Sequence, residues 1–227
     1  MSRLNRLGAY LRNCAAVRLV PAVMLILSVF AYVHAPAVAQ QGGLDPAPDP
    51  RVADIEKDFL MGMIPHHRGA LRMSQMALEK ASRPEVRELA QENIDSQARE
   101  IELMTNWLRD WYGMTPPEGD MMPKEIMDRM DMPMMRGLMP GMDEQMQRMQ
   151  YLETLSGPAF DVEYMSLLTD HHGMAIMMTA PVLIRGHHAA LYDLAGGIAK
   201  EQGEQVQQMT TYLNEFYGVA RPLRVSR

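Results

Sequence analysis

Residues 63–73 read Met63-Ile64-Pro65-His66-His67-Arg68-Gly69-Ala70-Leu71-Arg72-Met73, and residues 168–178 read Leu168-Thr169-Asp170-His171-His172-Gly173-Met174-Ala175-Ile176-Met177-Met178. The two stretches lie 105 residues apart, and at that shift the sequence around them aligns without a gap. Leu89-Ala90 falls on Leu194-Ala195, Gln97 on Gln202, Met104 on Met209, Leu108 on Leu213, and Tyr112-Gly113 on Tyr217-Gly218. An internal repeat of this length means a duplicated supersecondary unit. Each unit reads as a helical hairpin. One hairpin cannot bury its apolar stripe alone, so two should pack together as a four-helix bundle.

Composition agrees with an all-α chain. Of 227 residues, 47% are hydrophobic but only 6% aromatic, and helix formers dominate over β-branched residues. The first helix should run from near Val52 to about Ala81. Ser82-Arg83-Pro84-Glu85 then reads as a helix start, with Ser82 as N-cap, Pro84 in the first turn and Glu85 completing a capping box. The second helix should end at Tyr112-Gly113. Ser156-Gly157-Pro158 breaks the chain, a third helix runs to about Ile184, and a fourth ends at Tyr217-Gly218. The organisation is therefore a signal peptide over 1–39, a linker over 40–51 and a first hairpin over 52–113. A methionine-rich connection over 114–157, a second hairpin of the same domain over 158–218 and a tail over 219–227 complete it.

The N-terminal segment has the form of an export signal. Arg3, Arg6, Arg12 and Arg18 precede an apolar run from Leu19 to Val33, and Ala37-Val38-Ala39 is a small-x-small cleavage site. The run is short of the roughly 20 residues that span a membrane. The expectation is a periplasmic or secreted protein cleaved near Ala39, with no membrane span in the mature chain. An uncleaved, anchoring signal is the lesser alternative. Cleavage removes four arginines and no acidic residue, taking the net charge from −6 to −10. It also removes Cys14, the single cysteine, so no disulfide or thiol remains. The acidic balance argues against nucleic acid and is compatible with cations.

The polar residues on apolar stripes carry the chemistry. Ala90, Ile94, Gln97, Ile101, Met104, Leu108 and Trp111 form one stripe, and Ala195, Ala199, Gln202, Val206, Met209, Leu213 and Phe216 its copy. A core glutamine costs stability unless hydrogen-bonded, so Gln97 and Gln202 imply a buried polar partner. His66 and His171 lie on stripes with Phe59, Met63, Ala70 and Met73, and with Tyr164, Leu168, Ala175 and Met178. His67 and His172 sit about 100° further round, also near apolar residues. In a pseudo-two-fold bundle the two histidine pairs can face each other across the core.

One buried histidine is ordinarily just a hydrogen-bonded core residue. Four in two equivalent pairs, flanked at helical reach by Met63, Met73, Met174 and Met178, point to a metal ion. Imidazole suits copper, zinc, iron and nickel, whereas thioether selects Cu(I). Copper, as Cu(I), is thus the favoured ion, with other transition metals open. Each methionine taken singly reads equally as flexible core filler. Asp170 is placed to orient a neighbouring imidazole, or to sit exposed. Pro65 removes a helical hydrogen bond beside His66.

Between Met121 and Met149, 11 of 29 residues are methionine. Prolines 123, 133 and 140 exclude one long helix, so short turns and then a helix from about Met142 to Leu155 are expected. This segment reads as a metal-capturing arm, a hydrophobic flap or an oxidant trap. His187-His188, near a turn, reads as a pair of solvated capping residues with a weaker metal claim.

Met63-Ile64-Pro65-His66-His67-Arg68-Gly69-Ala70 with Met73 resembles the signature of the family called domain of unknown function 305, which includes CopM-like copper-binding proteins. Ile94, Gln97, Glu100, Ile101 and Trp107-Leu108 are similar to its second-helix pattern, and Asp170-His171-His172-Gly173-Met174-Ala175 with Gln202 repeats it. The resemblance covers about Ala53 to Gly218 apart from the methionine-rich connection. It implies an exported, ferritin-like four-helix bundle that binds copper for sequestration, resistance or delivery. His66, His67, His171 and His172 match the family's histidines, and Met63 and Met73 its methionines. Leu168 and Asp170 depart from the pattern, which implies a weaker or shared second site.

Two other classes stand beside this one. A di-iron carboxylate oxidase on such a bundle needs Glu-x-x-His spacings. Here Met63, Ile64, Leu168 and Thr169 occupy the positions three before the histidines. A non-metal structural or interaction bundle would use the histidines only to satisfy Gln97 and Gln202. No nucleophile elbow, phosphate loop or catalytic thiol is present, so a binder rather than an enzyme is expected, with cuprous oxidation still open. The partner implied is a metal ion; a copper-handling protein and self-association into a homo-oligomer are both compatible with the sequence.

Overall fold

The structure, a computed structural model, describes residues 45–130 and 142–220. The expected signal peptide, most of the linker, the middle of the methionine-rich connection and most of the tail lie outside those residues. Every regular element described is helical. Four long helices, α1 (Pro50–Lys80), α2 (Pro84–Tyr112), α5 (Gly157–Arg185) and α6 (Ala189–Tyr217), form two hairpins. Two shorter ones, α3 (Lys124–Arg129) and α4 (Met142–Thr154), belong to the connection.

Local sequence sets the helix ends. Asp49 caps α1 by accepting from the Arg51 N–H at 2.8 Å, with Pro50 in the first turn. Gly113 and Gly218, at φ 62° and 65°, close α2 and α6 in the left-handed conformation that glycine adopts without steric cost. Helix α1 continues through Pro65, and α5 through Pro181. The expected N-cap of α2 is corrected: the cap residue is Arg83 with no side-chain cap of its own. Ser82 instead gives both its N–H and its hydroxyl to Asp161, at 2.9 and 2.6 Å.

That carboxylate is half of a symmetric device. Asp161 on α5 also accepts from the Arg83 N–H and from Tyr217 Oη, so it fastens the turn of the other hairpin. Glu56, 105 residues earlier on α1, does the reciprocal job. It accepts the N–H groups of His187 and His188 at 2.7 and 2.9 Å, His188 Nδ1 at 2.6 Å and Tyr112 Oη at 2.5 Å. Burial of Glu56 pushes its carboxyl pKa up, but the hydrogen bonds from Tyr112, His188 and His187 prevail and hold it below the ordinary value. Ring packing repeats as well. His188 stacks on Trp111 at 3.8 Å, and the Arg83 guanidinium lies 3.6 Å over Phe216. His188 is therefore a buried structural residue and not a solvated cap; its Nε2 also lies 3.1 Å from the Asp45 carbonyl.

The hairpins meet most closely along α1 and α5. The core is split in two. One apolar cluster holds Phe59 to Ile64 of α1 and Met174 to Val182 of α5; the other holds Ala70 to Ala77 of α1 and Phe160 to Leu168 of α5. On both helices the histidine pair falls at the division. The apolar clusters thus leave a polar layer at mid-bundle.

Truncating one of the two carboxylates should uncouple a turn from the opposite hairpin. Glu56→Ala leaves several buried donors without an acceptor, so unfolding in denaturant is expected to show a loss of about 3 kcal/mol or more. Glu56→Gln, which keeps one acceptor oxygen, should lose less. A loss below about 1 kcal/mol for Glu56→Ala, within the range of an ordinary surface change, would show that the staple does not hold the hairpins together.

Candidate metal centre

Helices α1 and α5 each present two consecutive histidines to the mid-bundle layer. His66 is 4% exposed, His67 and His172 are fully buried, and His171 is partly buried. The rings of His66 and His171, one from each hairpin, lie with centroids 3.6 Å apart and planes tilted by 32°. Within each pair the rings are 6.3 and 6.5 Å apart.

The second histidine of each pair is anchored by the second helix of its own hairpin. His67 Nε2 donates to Glu100 Oε2 at 2.7 Å, and His172 Nε2 to Gln205 Oε1 at 2.7 Å. Glu100 and Gln205 are themselves equivalent under the 105-residue shift. An acceptor on Nε2 fixes that nitrogen as the N–H and leaves a lone pair on Nδ1. Nδ1 of His67 and of His172 are buried without a partner among the described residues, as are Nδ1 of His171 and both nitrogens of His66. Neither residue lies on an apolar stripe that would mark it as an anchor. The repeat carried the signal, because they are the polar pair one turn beyond Gln97 and Gln202.

Burial keeps the free imidazoles neutral. Desolvation, and then the neighbouring imidazoles, push the pKa of His66 and of His171 well below the ordinary value. Desolvation lowers that of His172 to about 3, against the opposing hydrogen bond from Gln205. Neutral imidazole is the form that binds metal.

The two core glutamines do not bind these rings. Gln97 donates to Asn93 Oδ1 at 2.7 Å, Asn93 donates to Ser74 Oγ at 2.8 Å, and Ser74 pairs with Tyr164 Oη at 2.9 Å. This buried chain is the polar partner that Gln97 implied, while Gln202 makes no hydrogen bond among the described residues. The carboxylate of Asp170, offered as an imidazole acceptor, pairs with Arg148 of α4 at 2.7 Å. Arg148 has a second carboxylate partner in Glu163 at 2.8 Å.

The candidate methionines divide. Met174 borders the same cavity as His66 and His171. Met63 and Met178 pack in the first apolar cluster and Met73 in the second, all fully buried. The cavity, about 210 Å³, opens beside the stacked rings and is otherwise lined chiefly by thioethers of the connection, Met121, Met122, Met127, Met146 and Met149. Gly69 on its wall permits a close approach: a Cβ there would lie 2.8 Å from the Asp120 carbonyl oxygen and 3.2 Å from His171 Nε2. In the second repeat the equivalent position is Met174, so the two sides of the histidine layer differ.

Arginines of α1 hold the connection in place. Arg68 donates to the Pro117 carbonyl at 2.6 Å, and Arg72 pairs with Asp120 at 2.9 Å and with Glu153 of α4. Among the described residues, no three His, Cys, Asp or Glu side chains are spaced to grip an ion as they stand. The donor set that does converge is imidazole with thioether.

Solved structures share this architecture. CopM in its Cu(II)-bound form is 28% identical, with 71% of this chain and 97% of that chain covered and a TM-score of 0.57. Its Cu(I)-bound form is 27% identical over 72% and 98%, with a TM-score of 0.56. A protein from Streptomyces coelicolor, described as a candidate secreted DUF305 protein, is 27% identical over 75% and 98%, with a TM-score of 0.62. No curated protein matches the chain. The family described as domain of unknown function 305 matches residues 56–213, which span both histidine pairs and both hairpins, and the chain belongs to that family.

Proposed function

We propose that this protein binds a soft transition-metal ion, Cu(I) above others, between the histidine pairs of its two hairpins, and that it sequesters or delivers copper outside the cytoplasm. The observation that carries the reading is the set of five buried, unpartnered imidazole nitrogens brought together from two helices. An unsatisfied buried polar group costs about 1–3 kcal/mol. Apolar residues in those places would remove the cost, so the layer is best explained by a ligand that supplies the missing partner. The copper-bound forms of CopM support the choice of ion.

Imidazole and thioether donors are uncharged, and thioether favours a soft ion. Glu100 and Gln205 serve as orienting partners that hold His67 and His172 with Nδ1 available. The structural alternative is weakened because the rings do not satisfy Gln97 or Gln202. The di-iron alternative lacks its carboxylates at Met63, Ile64, Leu168 and Thr169, so we read the protein as a binder and not an enzyme. Export is supported by the N-terminal signal pattern and by the description of the Streptomyces protein. Among the described residues no helix is long and apolar enough to cross a membrane.

Titration of the metal-free chain with Cu(I) against a competing chelator tests the site. His66→Ala with His171→Ala should weaken the nitrogen-coordinated equivalent by at least about 100-fold, the scale on which even outer partners of a metal site act, while circular dichroism shows the helices retained. Undiminished affinity in the double variant would remove the imidazole layer from the function.

Acid should expose the same histidines thermodynamically. His66, His171 and His172 stay neutral in the fold, whereas the unfolded chain takes up their protons below the ordinary value of about 6.5. Their stabilising effect is fully present above about pH 6.5 and is lost as pH falls through that value towards the folded pKa, which is about 3 for His172. Each contributes up to about 1.4 kcal/mol per pH unit in that window. Denaturant unfolding of the metal-free protein between about pH 6.5 and 5 should show this loss, and the double alanine variant a flatter profile. Equal slopes for the two proteins would contradict burial of neutral imidazoles.

A further inference from the structure

We propose that the methionine-lined cavity is a second metal site in its own right, a thioether pocket for a soft monovalent ion such as Cu(I) or Ag(I), placed between solvent and the imidazole pair. Six methionines line it from four parts of the chain: Met121 and Met122 from the limb before α3, Met127 from α3, Met146 and Met149 from α4, and Met174 from α5. Methionines that merely fill a core close the space around them, as Met63, Met73 and Met178 do at full burial. These six border a cavity of about 210 Å³, room for an ion and for side chains to turn towards it. Met is unbranched and polarizable, so such turning is cheap.

The charged groups at the cavity do not compete as ligands. The Asp120 carboxylate is paired with Arg72 at 2.9 Å. The donors that remain are neutral: sulfur, the side-chain amides of Gln145 and Gln150, and the imidazoles of His66 and His171, which keep nitrogens without a partner among the described residues. A neutral thioether set favours a soft ion of low charge. Thioether sulfur itself carries no proton to exchange on binding.

Exposure grades across the pocket. Met146 is 40% exposed, whereas Met122 and Met174 are 8% and 7% exposed. Met146 is the outermost of the six, and the partly buried His171 and the buried His66 border the same cavity. This assignment goes beyond the imidazole reading: five of the six methionines belong to the connection between the hairpins, and Met174 alone shares α5 with His171 and His172.

Titration with Ag(I), followed by methionine methyl resonances and by X-ray absorption at the metal, separates the sites. In the full chain the methyls of Met146 and Met149 should shift as Ag(I) is added. His66→Ala with His171→Ala should keep an Ag(I) equivalent whose neighbours are sulfur alone. Met121→Leu, Met122→Leu, Met146→Leu and Met149→Leu together should lose that equivalent and keep the nitrogen-coordinated one, with helicity unchanged. The proposal is overturned if the methyl resonances of the unaltered protein ignore Ag(I), a measurement that needs no variant to fold. It is also overturned if the double alanine variant takes up no Ag(I). Failure of the imidazole site looks different: the double alanine variant then binds as many ions as the unaltered protein, with the same neighbours.

Discussion

Four imidazoles are held out of water at the middle of a helical bundle, and the rest of the structure answers to that constraint. Desolvation keeps the free rings neutral, and neutral rings leave lone pairs with nothing in the apolar clusters above and below to accept. The pseudo-two-fold arrangement handles half of the problem. In each hairpin the second histidine leans on its own second helix, through Glu100 or Gln205, while the first is left to face its counterpart across the interface. Neither hairpin could bury its pair alone. The layer forms only when α1 meets α5, and Glu56 and Asp161 hold that meeting by fastening each hairpin to the turn of the other.

The repeat is broken where the site opens. Gly69 gives way to Met174 in the second copy, so one side of the histidine layer has room for a backbone carbonyl and a foreign imidazole while the other presents a thioether. Glu100 gives way to Gln205, so the two anchored rings differ in the charge of their acceptor. Pro65 gives way to Asp170, whose carboxylate pairs with Arg148 and so helps seat α4. Two symmetric halves would have produced a closed core. These exchanges accompany a cavity on one side of the layer, bordered among the described residues by the insertion between the hairpins.

Much of this was legible in the sequence, and the limits have physical causes. The 105-residue register exposed the hairpins, the bundle and the equivalence of the histidine pairs, because duplication preserves stripe positions. Helix ends at Gly113 and Gly218 followed from glycine's access to positive φ. The N-cap at Ser82 was misread because its side chain satisfies a carboxylate from the other hairpin, a tertiary contact that local capping rules do not contain. His187 is exposed as expected, but His188 departs from the solvated reading for the same reason: Glu56 of α1 and Trp111 of α2 reach it from more than 70 residues away. The methionines were harder. Helical reach selects Met174, which borders the cavity, alongside Met63, Met73 and Met178, which pack into apolar clusters, but the other cavity methionines belong to a proline-broken connection whose path no periodicity reveals.

The arginines beside the cavity explain how an acidic protein can present a cavity whose facing donors are uncharged. The surface charge draws cations of every kind, hard divalent ions included, and carboxylates are the ligands such ions prefer. Around the cavity, the nearby carboxylates are paired. Asp120 and Glu153 engage Arg72, while Glu163 and Asp170 engage Arg148. The same ion pairs pin the connection over the histidine layer, so one set of contacts both builds the cover and occupies its oxygen donors. What is left facing the cavity is chiefly sulfur and aromatic nitrogen, together with the side-chain amides of Gln145 and Gln150. On the proposed reading, attraction at long range is separated from selection at short range: charge would bring ions to the bundle, and the softness of neutral donors would decide which ion stays.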